Sequence, residues 1–135
     1  MDPTRTIKLR WVFGVPGDIN YQLSRFRFSP RTQHTWQPAI NAYRCDESVR
    51  ICVDLAGVRR SDIELAVEMK RLIIRGTRDV PEPTDVEERT VQMLIMEIDY
   101  GPFERTIGLP EEVDVEKAHA DLRDGLLWIY LPLKS

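Results

Sequence analysis

The chain has 135 residues, 42% apolar, 30% charged and 8% aromatic, with a net charge of −3; that suits one domain with one core and excludes global disorder. No apolar run approaches the roughly 20 residues that cross a bilayer, the first 14 residues mix Asp, Arg and Lys among apolar ones unlike a signal peptide, and two cysteines cannot build a disulfide framework. A soluble cytoplasmic protein with no membrane partner is expected, although the charge is uneven: residues 1–37 hold six Lys/Arg against two Asp/Glu and six of the eleven aromatics, whereas residues 38–135 hold 13 Lys/Arg against 20 Asp/Glu.

The first unit is therefore a basic, aromatic-rich N-terminal arm, residues 1–37. Ile7-Lys8-Leu9-Arg10-Trp11-Val12-Phe13 alternates briefly until Pro16 and Gly17 interrupt it, and Ser24-Arg25-Phe26-Arg27-Phe28 alternates again until Pro30. Short fragments with large apolar side chains and no partner in their own segment pack onto their own body or onto another subunit.

From Pro38 the pattern changes. Residues 43–55 read as two strands around Asp46-Glu47-Ser48, with Val49, Ile51, Val53 and Leu55 on one face of the second, ended by Ala56-Gly57-Val58. Ser61-Asp62-Ile63-Glu64 has capping-box spacing for a helix, yet Ile63, Leu65, Val67 and Met69 alternate as in a strand. Leu72-Ile73-Ile74 leads into Gly76 as a buried strand. Residues 79–90 contain Pro81, Pro83 and five carboxylates and read as a solvated loop. Residues 91–98 are apolar on both faces around Met93-Leu94-Ile95-Met96. In Tyr100-Gly101-Pro102-Phe103-Glu104-Arg105 the Gly-Pro pair favours a sharp turn, after which Phe103 is expected to enter a core and Arg105 to emerge on the other side. Residues 111–124 carry helix grammar (early acids, later Lys117 and Arg123, then Gly125), but Asp124-Gly125 is a strong hairpin dipeptide and favours strand–turn–strand. Residues 126–131 form an apolar run suited to a strand covered on both faces. Local patterns leave the fold class open between all-β and α+β.

Catalytic signals are poor. His34 and His119 sit in no motif that would activate a nucleophile, and Cys45 and Cys52 lack zinc spacing and a second pair. The seven glycines make neither a phosphate loop nor a dinucleotide fingerprint. No enzyme activity, metal or cofactor is expected. Arg25-Phe26-Arg27-Phe28 interleaves cations with rings as single-strand binders do, but an acidic body repels phosphates, so no nucleic-acid partner is expected.

Ala56-Gly57-Val58 with Asp62-Ile63, then Leu72-Ile73-Ile74-Arg75-Gly76, the segment Tyr100 to Arg105, Leu109-Pro110 and the segment Ala120 to Leu127 stand in the order and approximate spacing of the α-crystallin domain. Over residues 38–135 the chain resembles a small heat-shock protein of the bacterial or plant type, with Gly101, Phe103, Arg105, Ala120, Gly125 and Leu126 carrying the motif. The arm resembles the family only in kind.

The resemblance implies an all-β, immunoglobulin-like β-sandwich, with strands in both ambiguous segments. It assigns Met93, Leu94, Ile95 and Met96 to a strand that swaps onto a neighbour in a homodimer. A strand apolar on both faces is an aggregation hazard as a free edge, and pairing with the partner's strand around Asn41 to Cys45 would cover it. It implies an ATP-independent holdase that binds partly unfolded client proteins, with Trp11, Phe13, Phe26, Phe28 and Trp36 as the client-binding arm. It also implies a groove between Ile63, Leu65 and Val67 on one strand and Ala118, Ala120 and Leu122 on another, which in the family accepts an Ile-x-Ile type segment of a neighbour. This sequence ends at Leu133-Lys134-Ser135, directly after the last strand, so a dimer is expected as the stable unit, with any larger homo-oligomer depending on the arm. The rival reading is an adapter of the same fold that binds one folded partner.

Overall fold

A computed structural model describes residues 4–8, 35–83 and 92–135, the first of these segments by its backbone. Its eight strands are β1 (Thr4–Lys8), β2 (Ile40–Arg44), β3 (Ser48–Asp54), β4 (Ile63–Glu68), β5 (Arg71–Arg78), β6 (Gly101–Gly108), β7 (His119–Arg123) and β8 (Leu126–Pro132). They form two four-stranded sheets, ordered β1-β4-β5-β6 and β2-β3-β8-β7, and every pairing within them is antiparallel. This is the all-β sandwich the motifs imply.

Period-two alternation builds the core. Val49, Ile51 and Val53 of β3 and Leu127, Ile129 and Leu131 of β8 are buried, as are Ile63, Leu65 and Val67 of β4 and Leu72 and Ile74 of β5. Each such side chain contributes about 1.5–3 kcal/mol on leaving water. That stabilisation decides the two ambiguous segments. The capping-box signal yields only a single 3-10 turn, Arg60–Asp62, where the Arg59 Nε donates to Asp62 Oδ2 at 3.0 Å. Beyond it the apolar alternation requires a strand, because a helix would not turn Ile63, Leu65 and Val67 to one face. The helix grammar of residues 111–124 likewise shrinks to one 3-10 turn, Val115–Lys117, whose Asp114 side chain accepts from the Glu116 N–H at 3.1 Å. Asp124 (φ 53°) and Gly125 (φ 80°) then close the β7–β8 hairpin with two consecutive left-handed residues, the conformation of a type I′ turn.

Two expectations change, and a third segment stands apart. The strand β8 is not covered on both faces: Leu127, Ile129 and Leu131 point into the core, whereas Leu126 is exposed and Trp128 and Tyr130 are half-buried. Arg105 does not emerge opposite Phe103; two residues apart on one strand, both lie on the face of β6 whose register partners are Gly76 and Ile74. The Arg105 guanidinium donates to the Pro38 carbonyl at 2.9 Å. Residues 92–98 belong to no strand of this chain.

Candidate interaction site

Phe103 is the structural hub of the site. Its ring is buried and lies over Gly76, where an added Cβ would stand 2.5 Å from the ring's Cζ and 2.2 Å from the Asp62 carbonyl oxygen. Only a residue without a side chain lets β5 pass there. On its other side Phe103 meets Trp36, with ring centroids 5.1 Å apart and a tilt of 56°, a favourable geometry for aromatic pairs. Trp36 is held further by its backbone, which bonds to Pro102 and Glu104, and by its Nε1, which donates to the Gly101 carbonyl at 3.1 Å. The Arg78 guanidinium covers the indole at 4.4 Å from the ring centroid. Arg78 also donates to the Ala56 carbonyl (3.0 Å) and, from Nε, to the Asp99 carbonyl (2.9 Å).

Thus Trp36, which the sequence gives to the arm, is seated on the sandwich, beside residues 96–100, with which it lines a 340 Å3 cavity. Trp11, Phe13, Phe26, Phe28 and His34 lie outside the described residues.

The run from Met93 to Ile98 is the largest apolar exposure described. Leu94 is 84% exposed and Ile95 76%, with Met93, Met96 and Ile98 also open. Among the described residues β2 is an edge strand of the second sheet, paired with β3 alone, and four of its five residues are exposed. At its end Arg44 makes a bidentate contact with Glu111 (2.7 and 3.1 Å) and donates to the Cys45 and Asp46 carbonyls. That contact holds the Glu111 carboxyl below its usual range and raises the Arg44 guanidinium, through the shared hydrogen bond first. Tyr43 stacks near Trp128 at 6.3 Å.

The groove residues fall on the two strands expected, β4 and β7 with the residue before it. Ile63, Leu65, Val67, Ala118 and Ala120 are buried members of the core, and Leu122 is half-buried against it. The outer edge of β4 is paired along its length with β1, from Thr4 opposite Glu68 to Lys8 opposite Glu64.

Cys52 is buried and Cys45 half-buried, both as free thiols. Burial, and then the Asp54 carboxylate, push the Cys52 thiol up. His119 is exposed, beside Tyr130 at 4.8 Å. Among the described residues no group of His, Cys, Asp and Glu could hold a metal ion, and no helix is long and apolar enough to cross a membrane.

Sequence reasoning missed three features. The pairing of β1 was detectable in the β-branched residues of Thr4-Arg5-Thr6-Ile7, just ahead of the alternation noted at Ile7. The cation–aromatic face of the second sheet, where the Arg50 guanidinium lies 4.8 Å from the Tyr130 ring centroid, was hidden inside a run read as uniformly buried. Nothing in the sequence marks Arg78 as the residue that covers Trp36.

A sequence profile described as the Hsp20/alpha crystallin family matches residues 42–135. The chain belongs to that family. Heat shock protein 16 of Schizosaccharomyces pombe is 28% identical over 131 residues, covering 93% of this chain and 90% of that protein. Small heat shock protein C4 of Rickettsia felis is 35% identical over 123 residues, covering 91% and 66%. The solved structure of Heat shock protein 16.0 from Schizosaccharomyces pombe superposes with a TM-score of 0.62 at 28% identity, over 72% of this chain and 86% of that one. The hspA of Xanthomonas axonopodis does so with a TM-score of 0.63 at 28% identity, over 75% and 97%. The chain is thus a small heat-shock protein, of a family of ATP-independent chaperones rather than enzymes.

Proposed function

We propose that this chain is a holdase that captures partly unfolded proteins without ATP and keeps them from aggregating. Membership of this family carries the reading, and the exposed run from Met93 to Ile98, the kind of surface that associates when isolated, supports the dimer in which the chain works. In the working unit each subunit lends residues 93–98 to the edge of its partner's β2, making a homodimer whose swap residues are Met93, Leu94, Ile95 and Met96. That removes two unpaired edges at once.

With the swap segments covered, capture falls to the arm. Trp11, Phe13, Phe26 and Phe28 offer large contact areas without demanding one client shape, and a few such side chains are worth several kcal/mol at about 25 cal/mol per Å2 before ordering costs. Trp36, clamped between Phe103 and Arg78, roots the arm on the sandwich. Assembly beyond the dimer depends on the same arm.

The test compares the parent chain with a Phe26→Ser/Phe28→Ser variant in suppressing the turbidity of a heated, thermolabile protein. Capture by the arm predicts that the variant needs several-fold more chain for equal protection. Unchanged protection removes those residues as the client surface. Protection by neither chain favours an adapter that binds one folded partner.

A further inference from the structure

We propose that the outer face of the second sheet, over β8 and β7, binds a nucleoside monophosphate, with its base on Trp128 and its phosphate at Arg50. The site goes beyond the capture reading and uses neither residues 93–98 nor the arm.

Strand parity places these side chains together. On β8 the core takes Leu127, Ile129 and Leu131, so Trp128 and Tyr130 stand on the opposite face. On β7 Ala120 is buried, so His119, Asp121 and Arg123 share that outer face. The register then sets two rows across the sheet. Tyr43, Arg50, Tyr130 and His119 are successive partners on β2, β3, β8 and β7, and Cys52, Trp128 and Asp121 form the next row. Two residues separate the rows along each strand, which is about 7 Å. An open cavity of 570 Å3 lies over them, lined by Arg50, His119, Asp121, Arg123, Trp128 and Tyr130. The first sheet has no counterpart, because the only aromatic residue of β4, β5 and β6 is Phe103, and its ring is in the core.

The two rows differ in chemistry as the two ends of a nucleotide do. In the first, Tyr43 stacks beside the Trp128 indole, at 6.3 Å between centroids and 21° between planes. The cavity reaches the β7 side of the indole, where Asp121 and Arg123 line it. A flat base placed there extends the stack, and such stacking tolerates any base. Asp121, the register partner of Trp128, is paired with Arg123 at 2.7 Å. Its carboxylate turns a phosphate away from this row and can accept from an amino group on the base.

The second row suits the phosphate. The Arg50 guanidinium lies 4.8 Å from the Tyr130 ring centroid, and the His119 ring packs on the same tyrosine, also with 4.8 Å between centroids. Among the described residues Arg50 has no carboxylate partner, and its side-chain hydrogen bond, to Ser48 Oγ, is long at 3.4 Å. A guanidinium held over a ring with its charge unpaired is set for a forked contact with a phosphate. The ribose bridges the gap between the rows.

Charge favours a single nucleotide over a strand. Residues 38–135 carry 13 Lys/Arg against 20 Asp/Glu, so a polyanion that gains from Arg50 and Arg123 meets an acidic surface beyond them. One phosphate needs only the local cations.

The test titrates adenosine monophosphate into the full-length chain by calorimetry, beside adenosine, inorganic phosphate and a short oligoadenylate. The expected result is saturable binding of the monophosphate, with adenosine and phosphate each roughly fivefold weaker or more. Trp128→Leu and Arg50→Gln should each weaken the monophosphate by roughly fivefold or more. No saturable binding, binding that either variant leaves unchanged, or phosphate alone binding as well as the monophosphate overturns the proposal. An oligoadenylate that binds more tightly than the monophosphate gives the face to a single strand and overturns it too. If Trp128→Leu loses its sheet signal in circular dichroism, the exposed Arg50→Gln decides instead. No client protein enters the titration, so a failed capture assay leaves its result standing, and the reverse.

Discussion

Two glycines in the same sheet should respond to alanine with opposite signs. At Gly76 a methyl group would stand 2.2 Å from the Asp62 carbonyl oxygen and 2.5 Å from Phe103 Cζ. Closest approaches of about 3 Å or more are required, so the Asp62 carbonyl must retreat by about 0.8 Å and the Phe103 ring by about 0.5 Å, or β5 must shift away from both. The ring cannot yield freely, because Trp36 packs on it. Overpacking of this kind costs about 1–3 kcal/mol, and backbone crowding puts Gly76→Ala near the upper end. Neither glycine has a positive φ, so alanine also reduces the freedom of the unfolded chain, a gain of about 0.4–1 kcal/mol. The net expectation is a loss of about 2 kcal/mol. At Gly108, in β6, an added Cβ meets nothing within 4 Å, which leaves only the gain. Urea unfolding at one fixed chain concentration, followed by tryptophan fluorescence, measures both. With a slope of about 2 kcal/mol per M the midpoint should fall by about 1 M for Gly76→Ala and stay or rise slightly for Gly108→Ala. A Gly76→Ala chain as stable as the parent, or equal losses at the two sites, would refute the close packing of Phe103 on Gly76.

Other perturbations address the remaining contacts. Ile95→Asp places a charge where the swap would bury an apolar side chain, at about 3 kcal/mol for each of the two copies in a dimer, or roughly ten-thousandfold in dimer Kd; light scattering coupled to gel filtration should then find the 15.7 kDa single chain, and an undisturbed dimer would place the interface elsewhere. With a thiol-reactive dye Cys45 should label quickly and Cys52, buried and with its thiol pushed up, only on unfolding; equal fast rates would contradict the packing of β3. The Glu111 carboxyl is held below its ordinary value of 4.5 by the Arg44 hydrogen bond, so the pair stabilises the fold above that pH and loses its contribution as pH falls through the lowered folded value. Glu111→Gln should therefore unfold at slightly lower urea than the parent at pH 7, with the difference shrinking below pH 4.5; a difference that grows on acidification would reverse the sign. The effect is small because both side chains are largely exposed.

Much of this architecture was legible because alternation is a strong signal wherever one face is buried. Val49, Ile51, Val53 and Leu55 all proved to be core residues, and Asp124-Gly125 turned the chain where the dipeptide said it would. Helix grammar at residues 61–64 and 111–124 misled locally, since a capping interaction worth about 1 kcal/mol is satisfied by one 3-10 turn and cannot outweigh a buried apolar face. The position of Arg105 was misjudged through strand parity alone. Less legible were contacts joining distant segments: Arg78 over Trp36, and β1 on β4. Neither leaves a periodic trace, because each depends on which edges meet once both sheets exist. The candidate site was readable in composition, as an apolar run at residues 93–98, but its exposure only in three dimensions.

The most direct measurement heats a thermolabile protein with the full-length chain after enzymatic removal of ATP and follows light scattering. The account predicts suppression that rises with the chain's concentration and is complete at a few-fold molar excess of subunits. Scattering unchanged at several-fold excess, from a chain still folded at that temperature, would contradict it.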